Sequence, residues 1–332
     1  SSGVMIRQAM RSLAVWFFEN RDFQRGRLFA SRQLLRIWPR CSRSELSETV
    51  ISIEKTLSWR RLDAGLDLNP GSGLAFLGRR ILRASQASKS PIEHSGSTDL
   101  LAHLLPRPIK REPALVLYAG AQTGLVGFVA GLLPRFFALD RLGVPQDVLL
   151  LVSLEMGRTR VFQDALIDHV FAPRQLELMR RHRLVRVETL HEVTVSDVPT
   201  ELLEQGARRI AEIYGPFEAD GPPVILCGGG VQRAEGLLRH LPDDLQRLMN
   251  EEAVVIDPFG TPLKLTLHAL ASASIVVAPD GDERALLALV PSRHRTLHEV
   301  VVNNQSDPLA QDLFAAINAV GATIRHSPNQ SD

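Results

Sequence analysis

The chain has 332 residues, of which 45% are hydrophobic, 23% charged and 5% aromatic, and its formal net charge is +1. This length is enough for two or three domains with buried cores, and the composition excludes a wholly disordered or fibrous chain. Two cysteines, Cys41 and Cys227, cannot form a disulfide framework or a cysteine-rich zinc site, so nothing points to an oxidising compartment.

Charge is distributed unevenly along the chain. Residues 1–111 contain 19 Lys and Arg against 9 Asp and Glu, whereas residues 112–332 contain 19 against 28. Nine arginines fall within residues 5–43, where apolar side chains recur at roughly helical spacing. This pattern predicts either a basic amphipathic helix on an anionic membrane surface or an ordinary helical subdomain with a solvated arginine face. No DNA- or RNA-binding signature is present, so nucleic acid is not an expected partner.

Three regions are predicted along the chain. Residues 1–111 are a basic, mostly helical region that includes a Ser-rich linker at 85–98. After Pro113, short apolar runs alternate with helical patterns, which is typical of parallel sheets covered by helices on both faces. A Pro- and Gly-rich break divides this part into a first α/β domain, 112–217, and a second, 218–332. The predicted fold is α/β, with two doubly wound Rossmann-like domains facing a cleft.

Seven strands and nine helices are predicted after Pro113. The strands are expected at 114–118, 147–153, 184–190, 223–227, 253–256, 274–278 and 298–302. The helices are expected at 125–142, 158–169, 173–182, 199–214, 231–238, 242–250, 262–272, 282–289 and 307–320. The uncharged stretch 114–134 has Gly-xxx-Gly spacings like those of membrane helices, but Gln122 and Thr123 favour a strand-loop-helix unit.

A glycine loop connects the short apolar strand at 223–227 to the helix at 231–238. Exposed amides and the helix dipole at such a junction favour an anion, and glycines let the backbone approach a phosphate closely. Two arginines on the helix could pair with a diphosphate; the alternative is a plain turn with surface arginines. The predicted nucleotide-sugar contacts of this loop are Gly228, Gly229, Gly230, Arg233 and Arg239.

A second loop follows the strand at 274–278. It contains Asp280, Gly281, Asp282 and Glu283, and an apolar helix follows it. One interpretation is that an aspartate caps this helix. The other is that the loop faces the crevice at the carboxyl ends of the strands, where open α/β sheets bind ligands. A carboxylate there could hold sugar or ribose hydroxyls, so Gly281 and Asp282 join the predicted nucleotide-sugar site.

The order of these segments resembles that of glycosyltransferase family 61. Segment 127–145, with its Leu-Pro-Arg, resembles the family's Leu-Pro-Arg helix, and 224–227 resembles the strand before its donor loop. Segment 265–289 resembles the helix and strand that lead to the family's Gly-x-His-Gly-Ala loop. The resemblance covers roughly residues 112–305. It implies an inverting, nucleotide-sugar-dependent glycosyltransferase of bacterial surface polysaccharide assembly, with an acceptor-side first domain and a donor-side second domain.

The resemblance also implies partners and a location. The acceptor would be a saccharide or a lipid-linked acceptor, and no cofactor held at a fixed protein metal site is expected. The histidines show no ligand spacing, so the sequence gives no support for a metal site. The expected location is cytoplasmic, at the inner face of the bacterial membrane, where residues 5–43 would make a peripheral contact.

The chain departs from the family at its histidine motifs. Gly127-Phe128 stands where the family has His-Trp, and Asp280-Gly281-Asp282 stands where it has His-Gly-Ala. An inverting transfer needs a base for the acceptor hydroxyl, and the candidates are Asp280, Glu283 and His268, with His240 as a further one. The alternative is a catalytically inactive family-61-like scaffold that binds a partner glycosyltransferase or the membrane. A third hypothesis is an α/β domain with unrelated nucleotide chemistry.

Overall fold

The computed structural model describes two compact units. The described residues are 40–41, 48–53, 56–68, 75–77, 80–82, 109–110, 112–118, 124–179, 184–195, 200–218, 220–290, 295–302, 313–314 and 322–326. The first unit comprises 1–121, 142–155 and 174–196, and the second comprises 122–141, 156–173 and 197–332. The chain therefore passes between the units five times. The predicted domain boundaries, in contrast, divide it into consecutive pieces.

The elements alternate between strands and helices after Pro113. The strands are β1 (Arg40–Cys41), β2 (Glu48–Ile53), β3 (Leu57–Leu68), β4 (Ala75–Leu77), β5 (Arg80–Leu82), β6 (Ile109–Lys110), β7 (Ala114–Tyr118), β8 (Leu149–Ser153), β9 (Leu176–Met179), β10 (Val185–Val195), β11 (Val224–Leu226), β12 (Val254–Ile256), β13 (Ile275–Pro279), β14 (Thr296–Val300) and β15 (Ala322–His326). The helices are α1 (Leu133–Leu142), α2 (Leu154–Gly157), α3 (Arg160–Ile167), α4 (Thr200–Tyr214), α5 (Val231–Leu238), α6 (Asp243–Glu252) and α7 (Leu263–Ser272). A π-helical segment, Gly127–Leu132, leads directly into α1, and Asp282–Leu289 forms a 3-10 helix.

The first unit contains a mixed sheet. Its order is β1-β5-β4-β3-β10-β7-β8-β9, with β2 beside β3 and β6 beside β10. The long strands β3 and β10 are antiparallel, whereas β7, β8 and β9 are parallel. One face of the sheet carries a buried core of Leu62, Leu66, Leu68, Ala114, Leu151, Met179, Val185, Val187 and Leu190.

In the described parts of the region 1–111 the structure has strands where the sequence predicted mostly helix. The described segments of that region are strands β1 to β6. Leu62 and Leu68 are buried in β3 while Arg61 is exposed, which is the two-residue period of a strand. The strand β3 is not evident from the sequence because it obtains its long partner, β10, from a distant part of the chain. The predicted basic helix before Arg40 and the linker 85–98 lie outside the described residues.

A second correction concerns the helix predicted at 173–182. The structure has strand β9 there, and it pairs in parallel with β8 from Leu150↔Leu176 to Ser153↔Met179. The segment is too short and too irregular in its apolar spacing to define a helix by itself. A free position beside β8 therefore decides its conformation, since a strand completes the hydrogen bonds of that neighbour.

The second unit contains a parallel sheet of five strands, in the order β12-β11-β13-β14-β15. Every neighbouring pair in it is parallel. Counted along the chain within this sheet, the order is second, first, third, fourth, fifth, so the direction of strand addition reverses between β11 and β13. Parallel sheets together with helices confirm the predicted α/β class.

Helices cover the sheet of the second unit. Residues of α5 and α6 pack on one face in a buried cluster with Ile225, Cys227, Val277 and Val300. The helix α7 contacts α4 and the 3-10 helix, which also contact each other.

The uncharged stretch 114–134 forms the predicted strand β7 and the beginning of a helix. Within the described part of the chain, no helix is both long and apolar enough to span a bilayer.

The C-terminal segment adds one strand that the sequence did not predict. Strand β15 pairs in parallel with β14, from Thr296↔Ala322 to Val300↔His326. Of the helix predicted at 307–320, only Leu313 and Phe314 are described, and both are buried. The remainder of that prediction lies outside the described residues.

Candidate functional site

The candidate site lies at the carboxyl ends of the strands of the second unit. Because β11, β12 and β13 are adjacent and parallel, the segments that follow them emerge at the same edge of the sheet. The order of the strands reverses between β11 and β13, and such a reversal opens a crevice that commonly binds ligands in α/β sheets. The glycine loop follows β11, and the loop 280–283 follows β13, so both predicted loops flank the reversal.

Two glycines give the first loop its shape. Gly229 and Gly230 have φ angles of 93° and 79°, in the left-handed region that side chains with a Cβ rarely adopt. Both are exposed, and Gly230 is the residue before α5, with no side chain capping the helix. Gly230 therefore offers no side chain to accept from the first amides of α5. The helix dipole favours negative charge at this position.

Gly228 is required for a different reason. It is buried, and a Cβ built on it would lie 2.7 Å from Cδ2 and 2.8 Å from Cε2 of Phe259. Phe259 belongs to the turn after β12, where its amide donates to Asp257 Oδ1 at 2.9 Å. The turn after β12 therefore packs directly against the glycine loop.

Arg233 connects the two predicted loops. Its Nη1 donates to the carbonyl oxygen of Gly228 at 3.1 Å, and its Nη2 lies 3.0 Å from Glu283 Oε1. The side chain of Glu283 is only 5% exposed, whereas that of Arg233 is 45% exposed. The arginine thus neutralises a buried carboxylate while part of its guanidinium group remains accessible to solvent.

Cys227, at the start of the glycine loop, is a buried free thiol. Burial raises its pKa above the ordinary value, the nearby Glu283 and Asp257 act in the same direction, and Arg233 opposes them. The thiol is therefore held in its protonated form, which is the less nucleophilic one.

Asp282 does not cap the helix that follows it. Its two carboxylate oxygens accept hydrogen bonds from the amides of Leu125 and Val126, at 2.6 and 2.7 Å. These amides begin the helix that continues into α1. A Cβ at Gly124 would overlap the carboxylate, so the glycine leaves the space that Asp282 occupies. The cap that Asp282 provides is therefore on a distant helix, and its predicted contact with a nucleotide-sugar stays a prediction.

Asp280 and Gly281 shape the second loop. The amide of Asp280 donates to Val300 O at 3.0 Å, and its Oδ1 accepts from the amide of Val302 at 2.8 Å, so it joins the ends of β13 and β14. Gly281 has a φ of −103°, which any residue can adopt, but a Cβ there would lie 2.6 Å from Glu283 Oε2. Gly281 therefore provides room for the buried carboxylate.

Three of the predicted residues lie away from these loops. Leu238, the last residue of α5, lies about 12 Å along the helix axis from Gly230, and Arg239 and His240 come after it. His268 has its Nε2 2.7 Å from Tyr214 O, and its ring meets Phe217 edge-on. These contacts place His268 against the segment that follows α4.

Asp257 and Phe259 also lie at the candidate site, although neither was predicted from the sequence. Both belong to Asp-Pro-Phe-Gly, residues 257–260, directly after β12. The signal was present, because an Asp-Pro turn after a short apolar strand marks a loop at the same sheet edge as the glycine loop. The described residues contain no group of three or more His, Cys, Asp or Glu side chains arranged to hold a metal ion.

Comparison with known proteins adds no family assignment. No protein-family model matches the chain, and no curated protein is significantly similar to it. The resemblance to glycosyltransferase family 61 therefore stays a prediction, together with the activity that it implies.

Proposed function

We propose that the glycine loop binds the diphosphate of a nucleotide-sugar, and that the protein transfers the sugar to a saccharide or lipid-linked acceptor. In this proposal the second unit is a Rossmann-like donor domain of a bacterial surface polysaccharide glycosyltransferase. The observation that carries it is the pair Gly229 and Gly230. Both are exposed, both have left-handed backbones, and they open α5 at the point where the strand order reverses. Backbone amides at such a position favour a phosphate.

The charge of the site supports the same ligand. A departing diphosphate needs positive charge or fixed N–H donors, because these stabilise the negative charge that develops on it. Arg233 is fixed beside the loop by Gly228 O and Glu283, and nearly half of its side chain is exposed. Arg239 is too far along α5 to share this role, so the proposal relies on Arg233 and the loop amides.

Calorimetric titration of the full chain with a panel of nucleoside diphosphates and nucleotide-sugars tests this proposal. Gly229→Asp places a carboxylate where the phosphates would bind, and we expect it to abolish binding. Gly229→Ala introduces the backbone strain without the charge, and should weaken binding less. Gly236→Asp is the matched control, since a Cβ at Gly236 meets nothing within 4 Å and the residue lies further along α5. Unchanged binding by Gly229→Asp would contradict the proposal.

A catalytically inactive scaffold is the second candidate function. It is favoured by the contacts of the three proposed catalytic side chains, each of which already has a partner within the protein. Asp280 accepts from Val302 N, Glu283 pairs with Arg233, and His268 bonds to Tyr214 O. A scaffold would bind a nucleotide without turning over any donor, and would instead bind a partner glycosyltransferase. Donor turnover by the wild-type chain that is lost in Asp280→Asn or Glu283→Gln would exclude this candidate.

We further propose that residues 5–43 attach the protein to the inner face of the membrane, where lipid-linked acceptors are held. Each arginine near an anionic surface contributes up to about 1 kcal/mol, and salt screens this attraction. Co-sedimentation with anionic vesicles should fall when the arginines before Arg40 are replaced by glutamine in the full chain. Truncation at Ser44 is less suitable, because it removes β1, which pairs with β5. Equal sedimentation of both chains would contradict this proposal.

A further inference from the structure

Phe259 is an exposed aromatic side chain at the candidate site that the proposed function does not use. It is 44% exposed, and it is the one aromatic residue among the exposed large hydrophobic side chains of the described residues. It follows β12, whose neighbour β11 leads into the glycine loop, with Leu226 paired to Ile256 at the ends of the two strands. The ring is therefore presented at the same sheet edge as the loop.

The turn that carries Phe259 is held in place by one residue. The side chain of Asp257 accepts from the amide of Phe259 at 2.9 Å, and its carbonyl oxygen accepts from the amides of Gly260 at 3.3 Å and Thr261 at 2.8 Å. A Cβ at Gly260 would lie 3.2 Å from Asp257 Oδ2, so the turn is compact. Three hydrogen bonds thus fix the backbone on which the ring is mounted.

The ring is also fixed by its contact with the glycine loop. Its Cδ2–Cε2 edge occupies the space that a side chain at Gly228 would need. The remaining exposed surface of the ring is apolar, and Val231, the first residue of α5, adds a second exposed apolar side chain, 62% accessible, after the loop. The exposed residues Gly229 and Gly230 are thus bordered by apolar surface.

We propose that Phe259 is the stacking platform for the base of the nucleotide whose diphosphate binds at Gly229 and Gly230. This inference rests on the proposed function, and it assigns the ligand's planar heterocycle to a particular side chain. A base presents an apolar face that gains from contact with an aromatic ring, and every base has such a face. A preformed ring needs little ordering on binding, which favours affinity.

The test compares nucleoside diphosphates with inorganic pyrophosphate, which has the phosphates but no base. Uridine diphosphate and guanosine diphosphate are titrated in parallel into the full wild-type chain and into Phe259→Ala. We expect Phe259→Ala to weaken the affinity for the nucleoside diphosphates about five- to 150-fold, because the base loses its contact. The affinity for pyrophosphate, which has no base, should not change. Leu265→Ala is the matched control, since Leu265 is another exposed apolar side chain of the same unit, and it should change neither affinity.

A tryptophan at position 259 provides an independent readout. In Phe259→Trp the platform is retained, and we expect nucleoside diphosphates to quench the added fluorescence while pyrophosphate does not. The native Trp16, Trp38 and Trp59 supply the background signal, which the wild-type chain measures directly.

Three outcomes would overturn the inference, and they differ from one another. If the wild-type chain binds neither nucleoside diphosphate nor pyrophosphate, the proposed function fails and the platform fails with it. If nucleoside diphosphates bind wild type and Phe259→Ala equally, the diphosphate site stands and the platform is wrong. If Phe259→Ala weakens the binding of pyrophosphate as much as that of nucleoside diphosphates, the ring only shapes the loop around Gly228.

Discussion

At the scale of single residues, charged side chains hold the loops of the candidate site by bonding to backbone groups, some nearby in the chain and some distant. Asp282 accepts from two amides of a helix, Asp280 from the amide of Val302, and Asp257 from that of Phe259. Arg233 donates to the carbonyl oxygen of Gly228. Loops that contain glycine lose much conformational entropy on ordering, and these bonds offset part of that cost.

Replacing Asp282 should destabilise the protein. Asp282→Asn leaves one of the amides of Leu125 and Val126 without its acceptor and removes a negative charge from a helix N-terminus, which should cost about 0.5–2 kcal/mol. Gly124→Ala should reproduce this loss without changing any charge, because its Cβ displaces the carboxylate. Urea unfolding measures both, with the exposed Glu212→Gln as control. A loss no larger than that of the control would show that the cap is unimportant.

The pair Arg233 and Glu283 should behave as a coupled unit. Arg233→Met leaves a buried carboxylate without its cation and should lower the free energy of unfolding by about 1–3 kcal/mol. The loss would be larger for a fully buried pair, but the arginine is half-exposed. Glu283→Gln removes the buried charge and should cost less. The double variant should therefore be more stable than Arg233→Met alone, and a double-mutant cycle in urea measures this coupling. Strictly additive losses would contradict it.

The position of the glycine loop is predictable from the sequence, whereas the contacts of the charged side chains near it are not. Gly228–Gly230 follow a short apolar strand, and this local pattern was enough to place the loop before a helix. The role of Asp282 was not predictable in the same way, because its partner Leu125 is 157 residues away in the chain. The local sequence around an aspartate does not show which helix its carboxylate will cap.

At the scale of elements, the last two strands of the second sheet, β14 and β15, each carry one histidine, and the two side chains contact each other. His298 Nδ1 and His326 Nε2 are 3.0 Å apart, so one nitrogen must donate and the other accept. Burial lowers the pKa of His298, and His326 lowers it further; burial also lowers the pKa of His326. In the first unit, burial, together with Arg61, lowers the pKa of His191.

These shifts predict an acid-sensitive stability. Because the folded-state pKa values lie below the ordinary value of 6.5, the unfolded chain binds more protons as the pH falls below 6.5, and stability decreases there. The urea midpoint should therefore be lower at about pH 5.5 than at about pH 7.5, and the pair His298→Asn with His326→Gln should reduce this difference. The exposed His169→Asn serves as control. An unchanged pH difference in the double variant would contradict the prediction.

The strands were predictable to different degrees. The runs that became β11, β12 and β13 are short, apolar and bounded by Gly, Pro or Asp, so their positions were predicted to within a residue or two. The strands β3 and β9 were not, since each depends on a neighbour that the local sequence does not reveal. Long-range pairing decides between helix and strand where the local pattern is weak.

At the scale of the whole molecule, the units are assembled from interleaved segments, and this affects which fragments can fold. A fragment of residues 218–332 contains the whole five-stranded sheet but lacks 122–141, 156–173 and 197–217, which belong to the same unit. It loses the helix that Asp282 caps, and Asp164, whose Oδ2 accepts from the amide of Leu263 at 2.7 Å.

We therefore expect the fragment 218–332 to lack a cooperative thermal transition. The fragment 122–332, which retains every segment of the second unit, is the matched comparison and should unfold cooperatively. Near-UV circular dichroism during heating measures both. A sharp transition in the shorter fragment would show that the strand-rich part is sufficient by itself.

The cap of the helix at Leu125 by Asp282 also has a consequence during protein synthesis. The two residues are 157 positions apart, so at 5–20 residues per second Leu125 is synthesised roughly 8–30 s before Asp282, whose carboxylate caps its helix. Throughout that interval the amides of Leu125 and Val126 must be satisfied by water or by another acceptor. Slow translation between these positions would prolong the time that this apolar segment spends without its cap.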